Sequence, residues 1–218
     1  MKIGILGTGD VGKAIGKGFA ALGHEVMLAG RESNNPKAQE WAQATQAAGH
    51  KGSAGSFADA AAFGEIIVIA TLGQAAEAAI SMAGADHFRG KLVWDTTNPL
   101  DFSAGFPPKL VGGLGTSLGE KIQAAVPHAH VVKVFNTVGN ALFFRPQLQG
   151  GIRPDMFICG DNADAKARTQ ALVADFGWDT IDIGGIATAH YLEAMCLVWV
   201  LSAAPRNRWM QAFKLLTP

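Results

Sequence analysis

The chain of 218 residues sets 18 Lys+Arg against 18 Asp+Glu, so its formal net charge at pH 7 is zero and no basic surplus remains to neutralise phosphates along a nucleic acid. Charged residues make up 17%, hydrophobic residues 49%, and there are 27 glycines, a composition that excludes disorder. The length suits one large domain, or one domain with a small appendage, and is too short for two full ones.

Lys2 to Leu6 is a short apolar run and reads as a strand. Val11, Ile15, Phe19 and Leu22 then recur at three-to-four spacing, an amphipathic helix that Gly23 stops. Glu25 to Ala29 reads as a second strand, Pro36 to Ala48 as a helix with proline near its start, and Glu65 to Ala70 as a β-branched strand. Further strands are expected at Leu92 to Asp95, Val131 to Phe135, Met156 to Cys159 and Thr180 to Ile183. Helices are expected near Gln74 to Ala83, Ser117 to Ala125, Ala163 to Phe176 and Ala187 to Ala203. Continuous apolar strands alternating with helices imply an α/β, doubly wound and mostly parallel sheet. The Gly/Ala-rich pattern changes to shorter elements after Phe135, and a soft boundary there divides a larger part, 1–135, from a smaller C-terminal part, 136–218. Asp101 to Gly115 carries two prolines and four glycines and reads as a loop beside or over a site.

The run Ile3–Leu6 is too short for the apolar stretch of a signal peptide. The longest strongly apolar stretch, Ala194 to Ala204, has eleven residues, against about 20 for a membrane span, so a cytoplasmic protein without a membrane partner is expected. Cys159 and Cys196 lie in apolar surroundings without Cys-x-x-Cys spacing, which indicates buried packing.

Gly7-Thr8-Gly9-Asp10-Val11-Gly12 is Gly-x-Gly-x-x-Gly directly after the first strand and opening the first helix. Gly7 permits the turn's backbone angles, Gly9 lets the main chain approach a pyrophosphate, and Gly12 lets helix and strand pack closely. The helix N-terminus presents unpaired N–H groups to the anion. About 20 residues on, an NAD site places an acid at the end of the second strand. Here that position falls on Ala29-Gly30-Arg31. Arg31 and Ser33, with Asn34 nearby, suit a 2′-phosphate, so NADP is the expected cofactor, with Glu32 next door as a counter-indication.

Other constellations lack their context. Gly115-Thr116-Ser117-Leu118-Gly119 matches a nucleophile elbow but does not follow a strand, and Ser117 with Glu120 forms a capping box instead. The only tyrosine, Tyr191, is followed four residues on by Met195 rather than lysine. His128 and His130 lack a third metal ligand, and no metal site is expected. His190 reads as a helix-start histidine paired with Glu193. The last helix, from Leu192 to Leu201, is apolar almost all round, which indicates a core or subunit interface. No catalytic side chain stands out, and Lys133, His190 and Tyr191 are weak candidates for a proton donor.

Gly7 to Gly12, Leu22-Gly23-His24-Glu25-Val26 with Ala29-Gly30-Arg31, Asp95-Thr96-Thr97-Asn98-Pro99-Leu100, Val131 to Thr137, Cys159-Gly160-Asp161 and Phe213-Lys214-Leu215-Leu216 together resemble the NADPH-dependent deazaflavin-coenzyme (coenzyme F420) reductases. The related cytoplasmic NADP-binding domain of ferric reductases is similar too. The resemblance spans nearly the whole chain. It implies a Rossmann-like NADP-binding domain, 1–135, with a small C-terminal α/β portion, 136–218, for the acceptor site and dimerisation, in a usually dimeric protein that holds NADP with its nicotinamide facing a deazaflavin or flavin ring, a small-molecule redox acceptor. Carried over residue by residue, Thr8, Gly9, Asp10 and Val11 would face the pyrophosphate, Arg31 and Ser33 the 2′-phosphate, and Thr71 and Leu72 the ribose. Asn98 and Pro99 would lie near the nicotinamide, and Asn136, Thr137 and Val138 would border the acceptor pocket. The chain departs from the family in Asp101 to Gly115, which leaves the acceptor open: a deazaflavin or flavin, a ferric or other electron acceptor reached through a bound flavin, or none, in an NADP-sensing module. Pyrroline-carboxylate reductases and β-hydroxyacid dehydrogenases share the first domain but add a long helical one, for which the residues after Phe135 leave no room.

Overall fold

The computed structural model describes residues 1–216; the last two residues of the expected C-terminal portion lie outside the described residues. The chain begins with β1 (Lys2–Leu6), α1 (Asp10–Ala21), β2 (Glu25–Gly30), α2 (Pro36–Ala47), β3 (Gly52–Ser56), α3 (Phe57–Phe63), β4 (Ile66–Ile69), α4 (Ala76–Ala83) and β5 (Leu92–Asp95). A short hairpin of β6 (Leu100–Asp101) and β7 (Lys109–Leu110) precedes α5 (Leu118–Ala125) and β8 (His130–Lys133). The chain ends with β9 (Asp155–Gly160), α6 (Ala163–Asp175), β10 (Asp179–Asp182) and α7 (Ala189–Ala203).

Eight strands form one sheet in the order β10-β9-β8-β5-β4-β1-β2-β3. From β3 to β8 every neighbour is parallel, because each connection carries the chain back across a face of the sheet before the next strand. Between β8 and β9 no crossover helix intervenes, so β9 returns antiparallel, with Lys133 opposite Cys159. β10 is again parallel to β9 across α6. The strand order reverses at β1 and β4, and the crevice beyond their carboxyl ends is where open α/β sheets bind ligands.

Both faces of the sheet are covered, which is why its central strands are apolar throughout. α1, α2 and α6 bury Ile15, Phe19, Trp41 and Val173 on one side; α3, α4, α5 and α7 bury Phe57, Ile80, Ile122 and Leu192 on the other. Trp94, Phe135, Phe143, Phe176 and Trp178 stack in one aromatic cluster. Its two indole N–H groups donate to Thr169 Oγ1 at 3.0 Å and to the Phe143 carbonyl at 2.8 Å.

Two expectations are corrected and two elements are added. β3 and α3 occupy a stretch to which the sequence pattern assigns no element, because Gly-Ser-Ala-Gly-Ser has no apolar alternation and joins as an edge strand through its backbone. The Ser56/Asp59 capping box was the available signal there. Asp101 to Gly115 is not all loop but holds the β6–β7 hairpin. The strand expected at Val131 to Phe135 ends at Lys133, and Phe135 turns left-handed with φ 56°.

The helical turns on either side of α7 extend it to a run of 21 residues, Ile186–Arg206, long and apolar enough to cross a membrane by length and composition alone. Its Leu192, Cys196, Trp199 and Val200 are buried against the protein, whereas Tyr191, Val198 and Leu201 are exposed.

Candidate functional site

Gly7 follows β1 with φ 132°, a value that L side chains rarely adopt, and a Cβ there would collide with the Ala70 carbonyl at the end of β4. Its N–H donates to the Ala29 carbonyl at 3.0 Å, tying the turn to the end of β2. A Cβ on Gly12 would collide with the Gly7 carbonyl oxygen, so α1 rests directly on the turn. Gly9 differs: a Cβ there would meet nothing within 4 Å. Gly9 is the N-cap of α1 and supplies no side-chain cap, so the first turn leaves backbone N–H groups for a partner outside the helix.

A cleft of about 1170 Å³ opens at this turn. Gly7 to Val11 form one wall, Gly30, Arg31, Glu32, Asn34 and Asn35 the mouth, and Ala70, Thr71, Leu72 and the face of α4 the other wall. Pro36, Phe57, Ala75 and Asn140 complete the lining. Arg31 and Glu32 are both exposed. Ser33 is exposed in the same loop but is not part of the cleft wall. Asn35 caps α2 by accepting from the Ala38 N–H at 3.2 Å, which holds the Arg31–Asn34 loop at the end of β2. Among the described residues Thr71 Oγ1 is buried without a hydrogen-bond partner, an unused polar group on the cleft side of β4.

Asn98 and Asn136 meet beyond the ends of β5 and β8. The Asn136 Nδ2 donates to Asn98 Oδ1 at 3.0 Å and to the Leu192 carbonyl at 2.9 Å, and Asn98 Nδ2 donates back to the Asn136 carbonyl at 2.9 Å. Pro99, Thr137 and Val138 are buried beside them, and a Cβ on Gly73 would collide with the Asn98 carbonyl. None of Asn98, Pro99, Asn136, Thr137 and Val138 lines the cleft itself; they form a second cluster against Gly73, the residue after the cleft-lining Leu72. Phe135 delivers Asn136 to this place from a left-handed backbone that is strained by roughly 1–2 kcal/mol and held by the aromatic cluster.

Beneath that pair lies a charge cluster that sequence reasoning missed. The Lys133 ammonium is fully buried and donates to Asp95 Oδ2 at 2.6 Å and the Thr97 carbonyl at 2.9 Å, with Glu193 Oε1 at 3.1 Å. Burial alone lowers the pKa of Lys133, but the Asp95 and Glu193 carboxylates outweigh it, so the pKa is raised above the ordinary lysine value. Asp95 Oδ1 accepts from the Thr97 N–H and hydroxyl, and Glu193 accepts from the Leu118 and Gly119 N–H groups at the start of α5. Two expectations fall here. Lys133 is not available as a proton donor to a substrate, because all three of its protons are engaged and it is sealed from solvent. Glu193 binds the α5 backbone and Lys133 rather than His190, whose ring packs on Tyr191 at 3.9 Å.

The Ser117/Glu120 capping box forms as expected, with Ser117 Oγ accepting from Glu120 N at 3.0 Å. Cys159 and Cys196 are buried free thiols. Among the described residues no cluster of three or more His, Cys, Asp or Glu could hold a metal ion.

The family model described as NADP oxidoreductase, coenzyme F420-dependent, matches residues 2–99. A solved structure from Arthrobacter sp. FB24, assigned as an F420-dependent NADP-reductase, is 37% identical, with all of each chain covered and a TM-score of 0.91. The metalloreductase STEAP3 of Rattus norvegicus is 27% identical over 198 residues; these are 90% of this chain but only 36% of that relative's length. A reductive aminase from Aspergillus terreus, solved with NADPH, shares the fold at a TM-score of 0.67 and 16% identity, covering 94% of this chain and 63% of the other. The glycine turn, the crevice at the strand reversal and these matches together show that the chain belongs to the coenzyme F420-dependent NADP oxidoreductase family.

Proposed function

We propose that this chain holds NADP(H) in the cleft between β1 and β4 and passes hydride between it and a planar deazaflavin- or flavin-type acceptor. The observation that carries the reading is the open face at Gly9, where the backbone has free space on the cleft side and the uncapped first turn of α1 behind it. Gly7 and Gly12 are closed by their neighbours and build the turn; Gly9 leaves room for a pyrophosphate. The absence of an acid at the Ala29–Arg31 position, with Arg31 exposed at the mouth, supports a 2′-phosphate partner.

When bound, the dinucleotide supplies the hydride chemistry. The chain's own part is to bind, orient and exclude water. Thr8 to Val11 take the pyrophosphate, Arg31 and Ser33 the 2′-phosphate, and Thr71 and Leu72 the ribose. Asn98 and Pro99 border the nicotinamide, and Asn136, Thr137 and Val138 the acceptor. The β6–β7 hairpin and the segment after it bear exposed Phe102, Phe106, Val111 and Leu114, and the Val111 N–H donates to the Pro99 carbonyl at 2.8 Å. Apolar side chains anchored to the reacting end favour a flat aromatic acceptor over a small polar one. A family resemblance to coenzyme F420 enzymes supports the deazaflavin.

Fluorescence titration with NADPH and NADH, followed by free flavin and free deazaflavin separately, tests this. Arg31→Ala removes a charge-assisted contact of roughly 1.5–3 kcal/mol, so KM for NADPH rises on the order of 10- to 150-fold while that for NADH barely moves. Equal changes for both refute the 2′-phosphate contact, and a chain that binds NADPH but never oxidises it with either acceptor is a sensor instead. The likeness to a metalloreductase over 90% of the chain favours a second reading, electron transfer through a bound flavin, on which this chain would purify yellow. The exposed Tyr191, Val198 and Leu201 on α7 support a homodimer, and the buried opposite face of that helix supports a cytoplasmic protein. Sedimentation and fractionation check these two.

A further inference from the structure

We propose that the buried Lys133–Asp95–Glu193 network is the positioning device for the reacting end of the site. The proposal rests on the reading of the cleft as an NADP site. Its geometry is one of complete restraint. Asp95 Oδ1 takes the N–H and hydroxyl of Thr97, and Lys133 takes its carbonyl, so every polar group of the residue before Asn98 is bound to the network. On the other side, Asn136 lies three residues after Lys133 and donates to the Leu192 carbonyl, the residue before Glu193. The Asn98–Asn136 pair is therefore anchored on both sides to chain neighbours of the three charges, through Thr97 before Asn98 and through the Leu192 carbonyl that accepts from Asn136.

The network also fixes the helices. Glu193 of α7 accepts from the first two N–H groups of α5, and a Cβ on Gly119 would lie 2.7 Å from the Ala189 Cβ, so no side chain separates the two helices there. One ammonium with two carboxylates, none more than 2% exposed, is a poor way to stabilise a core, since apolar groups of the same volume often do as well or better. What charges give and apolar groups do not is a single direction for each bond. Two independent signs of constraint stand at the same spot. Among the described residues Asn136 Oδ1 is buried without a partner, and Phe135 holds φ 56°. Strained and unsatisfied groups of this kind persist where geometry is over-determined for function.

Lys133→Met and Glu193→Gln in the full chain test the idea against adenosine 2′,5′-bisphosphate, which carries only the non-reacting half of NADP. Calorimetry gives both affinities, thermal unfolding reports the fold, and NADPH deuterated at the 4R or 4S position reports which face gives up hydride. With Lys133→Met, bisphosphate affinity stays at the wild-type value while NADPH affinity falls toward it. Deuterium transfer loses its facial selectivity, and kcat drops on the order of 10- to 100-fold. Glu193→Gln keeps the Lys133–Asp95 pair and shifts the same readouts less. If both variants keep wild-type selectivity and affinity ratio, or lose both ligands by one common factor alongside a lowered melting temperature, the network is merely structural and the proposal is overturned. Should Lys133→Met not fold, Glu193→Gln decides by the same criteria. A wild-type chain that binds neither ligand overturns the NADP reading and this proposal together; one that binds both, with unmoved variants, overturns only the network's role.

Discussion

The three glycines of the first turn separate into two kinds, and substituting each by alanine tells them apart. At Gly12 the added Cβ falls against the Gly7 carbonyl, below the 3.0 Å that real Cβ contacts essentially never breach, and the obstacle is backbone rather than a side chain that could swing away. The helix or the turn must move, and overpacking of this sort costs about 1–3 kcal/mol. For a chain of this length that is roughly 2–12 °C in Tm. At Gly9 the Cβ meets nothing within 4 Å, and its φ of −76° is open to any residue. Gly9→Ala therefore unfolds close to the wild-type temperature, because lost N-cap preference and reduced unfolded-state entropy, each below about 1 kcal/mol, oppose one another. The same methyl stands where a pyrophosphate would approach the backbone, so NADPH binding weakens by about 1–3 kcal/mol, on the order of 5- to 150-fold. Differential scanning fluorimetry with and without NADPH measures both quantities. A Gly9→Ala chain that binds NADPH as the wild type does refutes the placement of the phosphates, and a Gly12→Ala chain of unchanged Tm refutes the packing account of the turn.

Ser117→Ala removes the side-chain half of a buried cap and lowers stability by about 1 kcal/mol, roughly 2–4 °C in Tm. Hydrogen bonds from the Ser117 backbone and hydroxyl lower the pKa of Glu120, so its contribution is present above the unfolded glutamate value of about 4.3 and is lost as pH falls through the lower folded value. The Tm difference between wild type and Glu120→Ala consequently shrinks on acidification below about pH 4; a constant gap counts against the cap. Burial pushes the Cys159 thiol up to about 11 and the Cys196 thiol up to about 12. Neither is alkylated by iodoacetamide in the native chain at pH 8, and both react in denaturant; rapid native labelling of either would contradict their buried placement.

The chain's periodicities carried most of the fold. Ile15 and Phe19 at helical spacing, Ile66–Ile69 as an unbroken apolar run and Gly7 between strand and helix each mark their element through a local property that needs no partner. β3 escaped because Gly52–Ser56 owes its strand state to the backbone of β2, and no side-chain pattern records that pairing. Arg31 was legible at the end of β2 because the dinucleotide motif fixes a spacing along the chain.

By itself the sequence determined the alternation of strands and helices, the glycine turn and the missing ribose acid, since these are set by neighbours a few residues apart. Only the tertiary structure decided the rest. It turned β9 antiparallel, set Asn98 against Asn136 across 38 positions, and buried Lys133 between Asp95 and Glu193. A lysine, an aspartate and a glutamate carry no mark of burial along the chain. Their pairing exists only where β5, β8 and α7 converge, and there the low dielectric turns each charge onto the others, the Thr97 hydroxyl and the backbone around them.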